Sequence, residues 1–213
     1  MNESINELRV SRAASGAYPT ISDALAATDQ LYPDAEQAVT IHIDPGEYRE
    51  RVEIHRPHVT LAGETADSVR IVGSLGAKIP SEDGSGVDGT LGTFRTYTVL
   101  VDADDVRLEN LTIVNDAGDG REVGQAIALY ADGDRLVVDA CCITGRQDTL
   151  FLGPLPPREV KPGGLGPSSL RRVGWAVSIF DAAGLRATST LSLAARVPIL
   201  RGARSARSTA IWT

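Results

Sequence analysis

Two stretches of this chain superimpose without a gap. ADDVRLENLTIVN (Ala103–Asn115) and GDRLVVDACCITG (Gly133–Gly145) agree in polarity at most positions, and HVTLAG (His58–Gly63) fits the middle of the same template. A short unit that recurs with its own turn, and with no helix between copies, constrains folding strongly. Each copy is too small to bury its apolar face alone, so the copies must cover one another. VTIHI (Val39–Ile43), RVEIH (Arg51–His55), SVRIVG (Ser68–Gly73), YTVLV (Tyr97–Val101) and AIALYAD (Ala126–Asp132) extend the series. VTIHI alternates strictly and ends at Asp44-Pro45-Gly46, a turn-forming triplet. Sandwich strands are spaced in the same way, so periodicity alone leaves a solenoid and a sandwich both open.

Before the first of these strands, Ser22 to Tyr32 reads as a short helix. Thr20 or Ser22 is placed to cap it, Ile21, Leu25 and Leu31 form its apolar face, and Pro33 stops it. In a solenoid, such a helix is expected to cover one open end, where unpaired backbone groups would otherwise be exposed.

The 213 residues carry a formal net charge of −7, which argues against a nucleic-acid partner. No apolar run approaches the roughly 20 residues of a membrane span, so no membrane partner is expected. The start, MNESINELRVSRAASG, has no basic stretch leading into an apolar one. The expectation is therefore a cytoplasmic monomer, or a secreted protein if the true start lies elsewhere. Cys141 and Cys142 are adjacent, so on a strand they face opposite ways and do not pair with each other. His42, His55 and His58 lie near no cluster of ligands at metal-binding spacing, and neither a metal nor a cofactor is expected.

Two blocks carry the chemistry. One is GQAIALYADGDRLVVDACCITGRQDTLF (Gly124–Phe151), the other GTFRTYTVLVDADDVRLENLTIVND (Gly92–Asp116). With YPTISDAL (Tyr18–Leu25) and IDPGEYRERVEI (Ile43–Ile54), they closely resemble the pectinesterase family, in order and with its spacing, from about Val10 to about Gly164. The resemblance implies an all-β fold, a right-handed parallel β-helix with an open cleft on one face and a short N-terminal capping helix. It also implies hydrolysis of the methyl esters of polygalacturonate, with pectin or an oligogalacturonide as substrate.

That reaction needs two carboxylates with different tasks: one ionised to attack the ester carbonyl, one protonated to serve departing methoxide. The carbonyl oxygen becomes an oxyanion, which fixed N–H donors must meet. The resemblance assigns the proton donor to Asp148 and the oxyanion amides to Gln147 and Gln125. It places Thr93, Gln125 and Phe151 among the substrate contacts. Taken without that context, Asp148 would be an ordinary turn aspartate and the two glutamines an amide ladder between stacked coils. Phe94, Tyr97 and Phe151 are candidates to stack on sugar rings, with at least one of them in the core.

The resemblance covers residues 1–164; residues 165–213 form a tail outside it. The family's strand ending near Gly-Arg-Gln-Tyr-Phe, its nucleophile in Val-Asp-Phe-Ile-Phe-Gly and its later arginine–tryptophan pair are all missing. From Arg171 onward there are seven arginines and one acid, Asp181, a formal +6 that leaves −13 for the first 170 residues. A shifted reading frame accounts for the letters. Taking the last base of each codon with the first two of the next, VSIFDAAGLRATSTLSLA (Val177–Ala194) can encode Gln-Tyr-Phe-Arg-Cys-Cys-Arg-Ile-Glu-Gly-Asp-Val-Asp-Phe-Ile-Phe-Gly. The frame then changes between about Gly164 and Val173. On this reading the chain is truncated relative to the family, holds no nucleophile, and ends in an irregular tail out of register with the coils.

Two other functions use the same residues differently. A non-catalytic polyuronate-binding module would bind without releasing methanol. A lyase or glycosidase on the same fold would need a basic residue with Ca²⁺ carboxylates, or a second carboxylate at glycosidase spacing. The pairing of Gln125 with Gln147-Asp148 favours the esterase.

Overall fold

The computed structural model describes residues 6–81 and 88–153, with two further strands in the tail. Strand β1 (Glu7–Val10) precedes helix α1 (Ile21–Leu31), and β2 (Val39–Ile43), β3 (Gly46–Arg49) and β4 (Val52–Ile54) make the first full coil. The second holds β5 (Val59–Gly63), β6 (Val69–Gly73) and β7 (Val99–Val101), with a 3-10 turn at Thr93–Arg95 before β7. The third holds β8 (Arg107–Glu109), β9 (Thr112–Asn115), the short helix α2 (Gly120–Val123) and β10 (Leu129–Ala131); the fourth holds β11 (Val137–Asp139), β12 (Cys142–Thr144) and β13 (Leu150–Leu152). With β14 (Ile179–Asp181) and β15 (Leu191–Leu193) from the tail, the coils give one strand each to three sheets, ordered β1-β2-β5-β8-β11-β14, β3-β6-β9-β12 and β4-β7-β10-β13-β15. Every pairing among these strands is parallel, between residues one coil apart, so the chain is a parallel β-helix and not a sandwich.

Like residues stack on like. Tyr48, Ile71, Ile113 and Ile143 align down the inside of the second sheet, all fully buried, and Ile41, Leu61, Leu108 and Val138 do the same in the first. Such a column has no slack, so truncating Ile113 to alanine would cost about 2–5 kcal/mol.

VRLENLTIVN and RLVVDACCITG each look like one strand in the sequence but fold as two. The break falls at Asn110 (φ 55°) and Ala140 (φ 47°), neighbours in adjacent coils, where a left-handed residue swings the chain from the first sheet to the second. A second left-handed column, His58, Asp105 and Arg135, precedes the first-sheet strands. Strands β1, β3 and β13 were not anticipated. Two are only four residues long and the third only three, and β3 starts on the turn residue Gly46 itself.

Helix α1 starts one residue earlier than expected, with Thr20 as its cap: the Asp23 amide donates to Thr20 Oγ1 at 3.0 Å. Glu50, from the turn after β3, accepts from the Ile21 and Ser22 amides at 3.0 and 2.9 Å, satisfying further free donors of the first turn. Its buried face is Ile21, Ala24, Leu25 and Thr28, packed against β1, β2 and β4 at the first-coil end of the solenoid. Leu31 departs from expectation and is 54% exposed: it shares the phase of buried Ala24 and Thr28 but is the last residue of the helix. No helix among the described residues is long and apolar enough to cross a membrane.

In the tail, β14 (Ile179–Asp181) pairs with β11 and β15 (Leu191–Leu193) pairs with β13, both parallel and in register. These six residues of the tail continue the register of the coils; the rest of the tail lies outside the described residues. The open sheet edges of the last coil offer unpaired N–H and C=O groups that template any short extended segment. The expected frame change between Gly164 and Val173 lies outside the described residues.

Candidate active site

The site is built on the outer face of the third sheet. Its inward positions, Val99 and Val101, Leu129, and Leu150 and Leu152, belong to the main core. The residues between them face the other way: Glu53, Leu100, Tyr130 and Phe151 align across four strands. The segment linking β6 to β7 crosses this face and adds Phe94 and Tyr97. Phe151 meets Tyr130 edge-on at 4.8 Å and Phe94 at 5.2 Å, and Tyr97 lies 6.2 Å from Tyr130. The result is an aromatic cluster separate from the main core, with Phe151 and Tyr97 each only 6% exposed and Phe94 half-buried.

At the rim of that cluster lie the polar residues singled out in the sequence. Gln125 precedes β10 and Gln147-Asp148 precedes β13, so they occupy successive coils. The Ala126 amide donates to the Gln147 carbonyl at 3.1 Å, which ties the two segments together. Thr93 Oγ1 donates to Gln125 Oε1 at 3.4 Å, bringing the 3-10 turn to the same place. Gln125, Gln147, Asp148 and Thr93 are all half-buried. Asp148 has φ 55°, a left-handed conformation that aspartate tolerates better than most residues.

Two features that hold this arrangement were not visible in the sequence. Asn115, 3% exposed at the end of β9, donates its amide to the carbonyls of Thr96, Leu75 and Ile127 at 2.8, 3.0 and 3.0 Å. It fastens the crossing segment to the third coil. Helix α2 is the other. The amides of Ala77 and Lys78 donate to the carbonyls of Gln125 and Val123 at 2.8 and 2.9 Å, and Lys78 Nζ reaches the Arg121 carbonyl at 2.7 Å. Asn115 ends a strand and α2 has only four residues, so neither carries a periodic signal.

Toward the first coil the same face turns polar. Tyr97 Oη donates to Glu53 at 2.7 Å, Arg51 donates to the same oxygen at 2.6 Å, and the Arg51 guanidinium stacks on the Tyr97 ring at 4.7 Å. Burial opposes ionisation of Glu53, but the bonds from Arg51, Tyr97 and His55 outweigh it and hold its carboxyl below the usual range. Burial, with the bond to Glu53, pushes the Tyr97 hydroxyl well above its ordinary value. Cys141 is buried and Cys142 half-buried, neither in a disulfide, and burial raises the Cys141 thiol to about 11.

Chemically, the rim offers one carboxyl group and two carboxamides on neighbouring coils beside an apolar floor. A carboxyl group can carry a proton to a leaving group, and carboxamides can meet a developing oxyanion.

Comparison with known proteins places this geometry. Residues 7–154 match the family model for pectinesterase. Over 148 residues the chain is 34% identical to pectinesterase 31 of Arabidopsis thaliana, a match covering 68% of this chain and 45% of that protein. Among solved structures, a pectin methylesterase in complex with a hexasaccharide superposes with a TM-score of 0.61 at 29% identity, over 68% of this chain and 45% of that one. Pectin methylesterase PemA from Erwinia chrysanthemi gives 0.59 at 28% identity, over 69% and 45%. The chain spans between 23% and 45% of the length of the curated relatives it matches.

Proposed function

This chain belongs to the pectinesterase family, and from that membership we propose that its cleft takes methyl-esterified polygalacturonate but lacks the group that would attack the ester. The observation that carries the reading is the pair of bonds from Thr93 to Gln125 and from the Ala126 amide to the Gln147 carbonyl, which joins the two blocks on successive coils to the segment crossing them. In that reading Thr93 occupies the carbonyl end of Gln125, which leaves its NH₂ end to donate to the substrate's carbonyl oxygen. Gln147 gives a second amide and Asp148 the proton that methoxide needs. The related enzyme solved with a hexasaccharide supports a sugar chain as ligand.

No aspartate in a Val-Asp-Phe-Ile-Phe-Gly setting follows Asp148 in these 213 residues. Without a nucleophile the ester carbonyl has no partner, and by comparison with other covalent catalysts the loss is roughly 10⁴–10⁶ in rate. The shifted frame after about Gly164 is the proposed origin of that loss. Nucleotide sequence across codons 164–173 tests the frame directly.

The binding half is tested by titrating the 213-residue chain with oligogalacturonides of high and of zero methylation. The reading expects saturable binding of the methylated form, weakened by Gln125→Ala. Equal indifference to both would remove it. In a frame-restored chain, Asp148→Asn should abolish methanol release with no loss of stability, because asparagine also accepts a left-handed backbone.

A further inference from the structure

Gly120 opens helix α2, and its α-carbon lies against the side chain of Gln147. A β-carbon built there would come within 1.9 Å of Gln147 Oε1, 3.0 Å of its Cδ and 3.2 Å of its Cβ. Gly120 is not among the residues with positive φ, so its backbone does not require glycine. What requires it is the space that Gln147 fills.

Helix α2 cannot easily back away. The Arg121 amide donates to Asp119 Oδ1 at 2.9 Å, and the amides of Glu122 and Val123 bond the Asp119 carbonyl, both at 2.9 Å. At its other end the Val123 carbonyl accepts from Lys78, and a β-carbon on Gly76 would lie 2.6 Å from that same oxygen. The 76–78 segment therefore holds the Val123 end of α2 while Gln147 meets its first residue. Gln147 follows the exposed Arg146, in a turn where a glutamine would otherwise sample several rotamers.

We infer that Gly120 is a positioning residue: its bare α-carbon, backed by the 76–78 segment, seats the Gln147 carboxamide in one orientation. The inference rests on the proposed role of Gln147 as an oxyanion donor, a role that demands a fixed direction rather than mere proximity. Helix α2 is the backstop, and the length of the side chain at 120 sets where the amide points.

The test uses the full chain and four proteins: wild type, Gly120→Ala, Gln147→Ala and the double variant. Alanine is the better helix former, so without contact Gly120→Ala would be neutral or stabilising. With contact the flexible end of Gln147 must shift, so Gly120→Ala should lower Tm by only about 1–2 °C, and Gln147→Ala should cancel that loss. Packing alone would give the same cycle, so the second readout is spectroscopic. The Gln147 side-chain NH₂ pair in a ¹H–¹⁵N spectrum, assigned by its absence in Gln147→Ala, should shift with methylated oligogalacturonide in wild type. In Gly120→Ala the pair should start elsewhere and lose that response. An additive cycle, or an unchanged Gln147 response in Gly120→Ala, overturns the inference. A wild type in which no residue responds to the sugar overturns the functional reading alone, and the cycle together with the starting position of the NH₂ pair still decides the seating of Gln147.

Discussion

The side-chain amide of Asn115 donates to the carbonyl oxygen of Thr96 at 2.8 Å, joining the third coil to the segment that carries Thr93, Phe94 and Tyr97. The same nitrogen serves Leu75 and Ile127, so one buried asparagine holds both ends of that segment and the stretch leading into β10. Asn115→Leu leaves those carbonyls without this donor and should cost about 2–4 kcal/mol in chemical denaturation. Asn115→Asp should cost more at neutral pH, since it turns a carboxylate onto three carbonyl oxygens. A loss below about 0.5 kcal/mol for either would mean that the bracket does not hold the segment.

Ala140 occupies the left-handed corner that Asn110 occupies one coil earlier, and it is exposed. Alanine pays about 1–2 kcal/mol in that conformation, and asparagine less. Ala140→Asn should therefore stabilise by about 0.5–1 kcal/mol, and Asn110→Ala should destabilise by a similar amount. Urea midpoints for the two variants check the pair; a change of the same sign in both would contradict the corner assignment.

Asp105 accepts from both Nε and Nη2 of Arg135 across one coil, the first at 2.6 Å. Those bonds hold its carboxyl below the usual range. Its folded pKa is thus depressed, so the stabilisation is present above the unfolded value near 4 and is lost as pH falls through the folded one. Both side chains are partly exposed, which limits the effect to about 1 kcal/mol or less. The stability gap between wild type and Asp105→Asn should be flat from pH 7 to about 5 and close below about 4. It should also shrink in 1 M salt. A gap that persists at pH 2 would exclude the ion pair as its source.

The two thiols should differ sharply. Cys142, half-buried, should react with a disulfide reagent in the native state, while Cys141, buried and raised to about 11, should wait for unfolding. One equivalent fast and one released by denaturant is the expected count. Two fast equivalents would mean that the fourth coil is open.

Much of this was legible in the letters. VTIHI alternates because one face is core and the other is not, and β2 follows it residue for residue. The Gln125 and Gln147-Asp148 blocks were found through their resemblance to the pectinesterase family; taken alone they read as an amide ladder and a turn aspartate. Other features left no trace, each for a physical reason. The strand break at Ala140 depends on a backbone angle that alanine does not advertise. Leu31 has the apolar spacing and the phase of the buried face but sits at the very end of the helix. Asn115 and Gly120 act through contacts between coils, which pattern along one segment cannot report.

On the proposed reading this chain keeps the proton donor and oxyanion amides of a pectinesterase and has nothing to attack the carbonyl. Methanol release from highly methylated polygalacturonate measures that claim directly, with the 213-residue chain and a frame-restored version at matched concentration. The account predicts release by the restored chain and none above the buffer control by the 213-residue one. Sustained release by the 213-residue chain, abolished by Asp148→Asn, would contradict it and require a nucleophile elsewhere in the fold.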